Sequence, residues 1–136
     1  MIENIQHALD TIGFIYREGD IDLIFFGHIL GMVSNDAEDL PLNKTPARRV
    51  ADAISLVEFL VSTGDFYVGH TIRGAEGKYT DVPFPRGISE FKEIINDIFL
   101  EEGLDGDNLI VSSWIRKLNI GSEPPVIPNR ILEIFK

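Results

Sequence analysis

Ile2, Ile5, Leu9, Ile12 and Tyr16 recur at three- and four-residue steps. They therefore share one side of an amphipathic helix predicted over about 2–18. Arg17 near its end and Gly19 just beyond supply the usual stop signals. Asp20 is placed to cap a second helix over about 21–33. There Leu23, Ile24, Phe25, Phe26, Ile29, Leu30 and Val33 occupy almost the whole circumference, which predicts a central, buried element paired with the first helix. Residues 34–44 carry Asp36, Glu38, Asp39, Pro41 and Asn43 without any period and read as a long exposed loop.

Thr45 and Pro46 supply an N-cap and a first-turn proline for a third helix over about 46–63, with Val50, Ala53, Ile54, Val57, Leu60 and Val61 as its core stripe. Gly64 closes it. Phe66, Val68 and Ile72 then face Lys78, Tyr79, Val82 and Phe84 across a Gly-containing turn, the pattern of a β-hairpin. Pro83 and Pro85 confine its second strand to a sheet edge. Ile88, Phe91, Ile95, Ile98 and Phe99 define a fourth helix over 89–102, with Ser89 as its cap and Gly103 past its end. Asp107 or Asn108 is expected to cap a fifth helix carrying Ile110, Val111, Trp114, Ile115 and Leu118, with a strand at Ile110 and Val111 as the fallback. After Pro124, Pro125 and Pro128, Asn129 opens a short terminal helix that docks Ile131, Leu132, Ile134 and Phe135. The expected fold is α+β and mainly α: five or six helices around one core with a single small hairpin, in one globular domain over 1–136.

Composition narrows the chemistry. With no cysteine, no disulfide, thiolate nucleophile or Cys-based metal site is possible. The first ten residues hold no Lys or Arg, so a secretory signal is not expected. The most apolar stretch, 21–33, is shorter than the ~20 residues a bilayer span needs. A cytoplasmic location and no membrane partner follow as expectations. His7, His28 and His70 fall on three separate predicted elements, and no spacing matches a metal-ligand pair. Counted as a calcium loop from Asp105, the fifth, sixth and twelfth positions are Leu109, Ile110 and Arg116, which departs from the required oxygen ligands and glycine. Gly27 and Gly31, four apart, match no phosphate loop and read as sites of close helix packing. No catalytic residue, metal or cofactor is expected.

The charge is more informative. Net charge is −10, which opposes a nucleic-acid backbone or an anionic membrane as partner. Residues 1–43 hold one basic and eight acidic side chains, 44–92 seven and six, and 93–136 four and eight. In the middle third, the helix, hairpin and turn bearing Arg48, Arg49, Arg73 and Lys78 are arranged like the recognition helix and wing of a winged-helix domain, a resemblance covering about 45–85. It implies phosphate contacts from those four residues. Asp52, Ser55 and Glu58, expected on the exposed side of the third helix, oppose it. A second acidic cluster, Glu101, Glu102, Asp105 and Asp107, is in keeping with a solubilising surface.

The opposite surface is assigned to Glu18, Asp20 and Asp22 at the first helix junction together with Asp36, Glu38 and Asp39 in the long loop. Converging on one rim, these six carboxylates would steer a cationic partner. In size, acidity, helicity and lack of cysteine the chain resembles the small immunity proteins with which bacteria neutralise basic nuclease toxins. That resemblance implies occlusion of a basic cleft by carboxylates around an apolar anchor. The sequence therefore predicts a non-enzymatic acidic protein-binding domain, an immunity or inhibitor protein for a basic toxin or enzyme. The alternative is a winged-helix nucleic-acid-binding regulator.

Overall fold

The structure, a computed structural model, describes the backbone of residues 2–136 and the side chains from Ile5 onward. The side chain of Ile2, expected in the first core stripe, lies outside the described residues. The elements in chain order are α1 (Ile2–Gly19), β1 (Ile24–Phe25), α2 (Phe26–Ser34), α3 (Pro46–Ser62), β2 (Phe66–Arg73), β3 (Tyr79–Pro83), α4 (Ile88–Glu102), α5 (Asp107–Val111), β4 (Trp114–Lys117) and α6 (Asn129–Leu132). A 3-10 turn follows at Glu133–Phe135. The architecture is α+β with most of the chain helical, as the pattern predicts. Among the described residues no helix is long and apolar enough to cross a membrane.

α3 is the central beam. The Thr45 hydroxyl accepts the Arg48 N–H and Pro46 fills the first turn, satisfying one amino-terminal donor and wasting none. Gly64, at φ 82°, lets the chain leave the helix in the left-handed region. Val50, Ala53, Ile54, Leu56, Val57, Phe59 and Leu60 are all buried, because α2, α4, α6 and β2 pack around this helix. Asp52 is buried with them rather than exposed, paired with Lys44 at 2.9 Å and Arg48 at 3.0 Å. The expected solvent-facing side of a recognition helix is thereby largely covered.

The expected hairpin is present and β3 is an edge strand, but the sheet is wider than predicted. All pairings are antiparallel, in the order β1-β4-β2-β3. The chain predicted to be one helix over 21–33 instead forms β1 and then α2. Ile24 and Phe25 pair with Ile115 and Trp114 of β4, and the Asp22 carboxylate takes the Leu23 N–H. The predicted fifth helix breaks in the same way. Only 107–111 is helical, Ile110 and Val111 are exposed on it, and the strand falls at 114–117. Neither Asp107 nor Asn108 caps α5, whose N-cap is Gly106. Ser89 does not cap α4; its hydroxyl donates to the Arg86 carbonyl, and the helix starts from Gly87.

The buried face of α1 is turned relative to the predicted stripe. Ala8, Thr11, Ile12, Ile15 and Tyr16 are inside while Ile5 and Leu9 are exposed. α6 and the 3-10 turn lie against α1, and the edge of the His7 ring meets Phe135 at 5.5 Å. Of the two small residues on α2, only Gly27 serves close packing. A Cβ there would stand 2.3 Å from Ile110 Cγ2 and 2.9 Å from Ile110 Cα, whereas at Gly31 nothing lies within 4 Å. Two lysines lock the periphery. Lys44 donates to the carbonyls of Val33 and Ile134 and to Asp52. Lys117, its side chain wholly buried, donates to Tyr16 O at 3.0 Å, Asp20 Oδ1 at 2.6 Å and Ser122 O at 2.8 Å.

Candidate partner-binding surface

The six carboxylates assigned from sequence fall into two groups at different positions along α1. Asp36, Glu38 and Asp39 lie in the loop after α2, beside His7, whose Nε2 is 3.3 Å from Asn35 O. Glu18 ends α1, and Asp20 and Asp22 follow it. His7 and Glu18 are eleven residues apart on one helix, about 16 Å at 1.5 Å per residue. The expected single rim is therefore two surfaces.

The first surface is preorganised by its own side chains. Asp36 Oδ1 accepts the N–H groups of Glu38 at 2.9 Å and Leu40 at 3.0 Å. Asp36 N donates to Leu40 O, and Asn35 bridges to Pro41. Asp39 sits at φ 61° and takes the Asn35 amide at 3.0 Å; a left-handed aspartate is tolerated where its side chain bonds locally. Together the loop, α1 and α2 enclose a cleft of about 350 Å³. His7 and Thr11 form the α1 wall, Gly27, His28, Gly31 and Met32 the α2 wall, and Asn35, Asp36, Ala37 and Asp39 the end. Two histidines that the sequence left apart thus share one hollow.

In the second surface Asp20 is already occupied. Its carboxyl is held below the ordinary aspartate range, first by the Gly121 N–H and then by Lys117. Asp22 caps the Leu23 N–H. Among the described residues no hydrogen-bond or ion-pair partner falls to the Glu18 carboxylate, while its carbonyl accepts the N–H groups of Ile21 and Asp22. Asp20 and Asp22 border a hollow of about 190 Å³ that also exposes Ile21 at 79% and Ile120 at 68%. These two exposed apolar side chains beside carboxylates stand outside any helix or strand, so periodicity does not mark them.

Beneath this surface the Tyr16 hydroxyl donates to Asp65 Oδ2 at 2.7 Å. Burial, reinforced by Asp65, pushes the phenol up to about 12, and the same bond holds Asp65 low. An absorbance titration is expected to show one tyrosine ionising near pH 12, absent in Tyr16→Phe. The unfolded chain releases that proton near pH 10. The stability this group contributes is therefore intact below pH 10 and lost as pH rises to about 12. A wild-type titration without the late step would refute the burial of this hydroxyl.

Charge pairing separates the two signs. Among the described residues, eight of the twelve basic side chains lie in ion pairs, namely Lys44, Arg48, Lys78, Arg86, Lys92, Arg116, Lys117 and Lys136. The carboxylates they take among the described residues are seven: Asp20, Asp52, Glu58, Glu76, Asp81, Glu93 and Glu133. Five of the seven basic residues of 44–92 are among the paired ones, and Lys78 only loosely so, 4.0 Å from Glu76. Among the described residues no cluster of three His, Asp or Glu is arranged to hold a metal ion. Comparison with known proteins finds no family model, no curated protein and no solved structure that matches the chain.

Proposed function

We propose that this protein is a non-enzymatic binding domain whose acidic surface receives a basic protein, in the manner of an immunity or inhibitor protein occluding the cleft of a toxin or nuclease. The observation that carries this reading is the internal consumption of the cations. With eight of the twelve basic groups matched among the described residues, the surplus carboxylates dominate the outward field, and a field of one sign accelerates association with its opposite. The fixed loop 35–41 adds to this, since a preordered contact surface loses little entropy on binding. Against a hydrolytic use of the first cleft, His7 is engaged on both ring nitrogens, by Asn35 O at 3.3 Å and Thr11 Oγ1 at 3.5 Å.

The test pairs the chain with the basic proteins encoded beside its gene and follows association by biosensor at low and physiological ionic strength. Association that slows with salt is expected, and Asp36→Asn, Glu38→Gln and Asp39→Asn together should slow it further and flatten its salt dependence. Kinetics unmoved by both salt and the triple variant overturn the reading. The nucleic-acid alternative retains one specific feature, the exposed Arg73 and Lys78 at the β2–β3 turn. Retention on DNA or RNA at physiological salt, lost in Arg73→Ala with Lys78→Ala, would put that alternative first.

A further inference from the structure

We infer that the extended segment between β4 and α6, residues 123–128, is a preformed polyproline II ligand for a partner protein with an aromatic-lined groove. This goes beyond the acidic-surface reading and does not depend on it. Residues 122–128 belong to no helix or strand. The sequence of the segment is Glu-Pro-Pro-Val-Ile-Pro. Proline locks its own φ at about −65° and confines the residue before it to extended conformations. Pro124, Pro125 and Pro128 therefore have φ fixed, and Glu123, Pro124 and Ile127 each precede a proline. Val126 alone lacks such a constraint. Pro128, at φ −69° and ψ 154°, stands in the polyproline II region. Among the described residues the backbone of 123–127 makes no hydrogen bond to other backbone groups, as that conformation requires.

A polyproline II helix has three residues per turn, so 124 and 127 share one ridge, 125 and 128 a second, and 123 and 126 the third. Ile127 is buried and Pro124 borders a hollow beside Tyr16 and Asp20, which turns the first ridge toward the body of the protein. The other two are presented. Glu123 and Pro125 are exposed, Pro128 is half-buried, and Val126, at 94%, is the most exposed large apolar side chain among the described residues. Both ends are fixed: Ser122 O accepts from the buried Lys117, and Pro128 O accepts the N–H groups of Ile131 and Leu132. A rigid spacer would account for the prolines but not for a valine held in water between them. Addition to a partner's sheet edge is disfavoured, because the three prolines have no N–H to donate. A groove lined by aromatic rings takes this conformation instead. Its rings pack against the proline and valine ridges, and little entropy is lost because the ligand is already extended. Glu123 heads the segment with a carboxylate, so the fitting groove has a basic side chain at that end.

The experiment titrates the full chain, labelled with 15N, with an isolated WW domain, a polyproline II reader whose groove is built from aromatic rings. Saturable amide shifts confined to the non-proline residues of 122–132 are expected, with half-saturation at roughly millimolar domain. Pro125→Ala and Val126→Ser, one on each presented ridge, should each weaken binding about fivefold, whereas Pro124→Ala, on the ridge turned inward, should stay within about twofold of wild type. The same domain with its groove aromatics replaced by alanine should leave the spectrum unmoved. Absence of saturable shifts at millimolar domain, equal loss from all three substitutions, or shifts centred on the β3 edge instead of the segment would each overturn the assignment. The acidic-surface reading stands or falls separately, on the salt and triple-variant kinetics.

Discussion

Asp52→Ala is expected to cost about 3–5 kcal/mol, lowering the melting temperature by roughly 10–20 °C. The Lys44 side chain is only 3% exposed, and its three N–H donors meet three acceptors, Val33 O, Ile134 O and Asp52 Oδ2. Removing the carboxylate strands a buried ammonium on two neutral carbonyls, with Arg48 left beside it. The energy lost is mostly the unpaired charge rather than the pair itself, so Lys44→Met combined with Asp52→Ala should recover much of it. Lys44 also joins the end of α2 to the 3-10 turn. Hydrogen exchange over 131–136 should therefore accelerate in the single variant more than in α4. A single variant within 1 kcal/mol of wild type by thermal melting would mean that water reaches Lys44 and that the clamp is not closed.

That clamp shows why sequence reading succeeds in some elements and not in others. α3, α4 and the hairpin were legible because their signals are local: a threonine cap followed by proline, a four-residue apolar step, and glycines at φ 82° and 73° where helices end. β1 and β4 were not, because Ile24 meets Ile115 across some ninety residues of chain, and a two-residue strand inside an all-round apolar run has no period of its own. In β4, Trp114 and Arg116 point to one side while Ile115 and Lys117 point to the other. A lysine on the core side looks like a surface residue until Tyr16 O, Asp20 and Ser122 O surround it. Asp52 misleads in the same way, an acid at a core position whose buried partner, Lys44, lies outside its helix.

The candidate surface was half legible. The acidic loop and junction stand out in a charge count, but Asp22 turns out to hold the adjacent Leu23 N–H and Asp20 the distant Gly121 N–H and Lys117, and the distance between the two groups depends on where each meets α1. The cleft depends on where α1, α2 and the 35–41 loop come together in space. The trace it leaves in sequence is the i,i+4 pair His7 and Thr11 on one helix and Gly27 and Gly31 on the next, a pattern common to packed helices. What distinguishes the two glycines is the neighbour each meets, Ile110 for one and open space for the other.

Gly69→Ala is expected to destabilise by about 3 kcal/mol, at the upper end for overpacking. Gly69 pairs with Trp114 in β4 and Pro83 in β3, and a Cβ would stand 2.4 Å from Trp114 Cη2 and 2.6 Å from Val82 O. The indole cannot swing aside freely. Its Nε1 donates to Thr71 Oγ1 at 3.1 Å, the Arg116 guanidinium covers it at 5.2 Å, and Tyr67 meets it edge-on at 5.8 Å. Because Trp114 is the sole tryptophan, its emission reports the change directly, and a shift to longer wavelength is expected as the ring loses its seat. Trp114→Phe in the Gly69→Ala background removes the ring atom but leaves the backbone oxygen. Chemical denaturation should then show partial rescue relative to the sum of the single changes. Full additivity would show that the two residues do not touch. A Gly69→Ala variant within about 0.5 kcal/mol of wild type would show that the strands part easily, and that the indole is not what fixes β4 against β2.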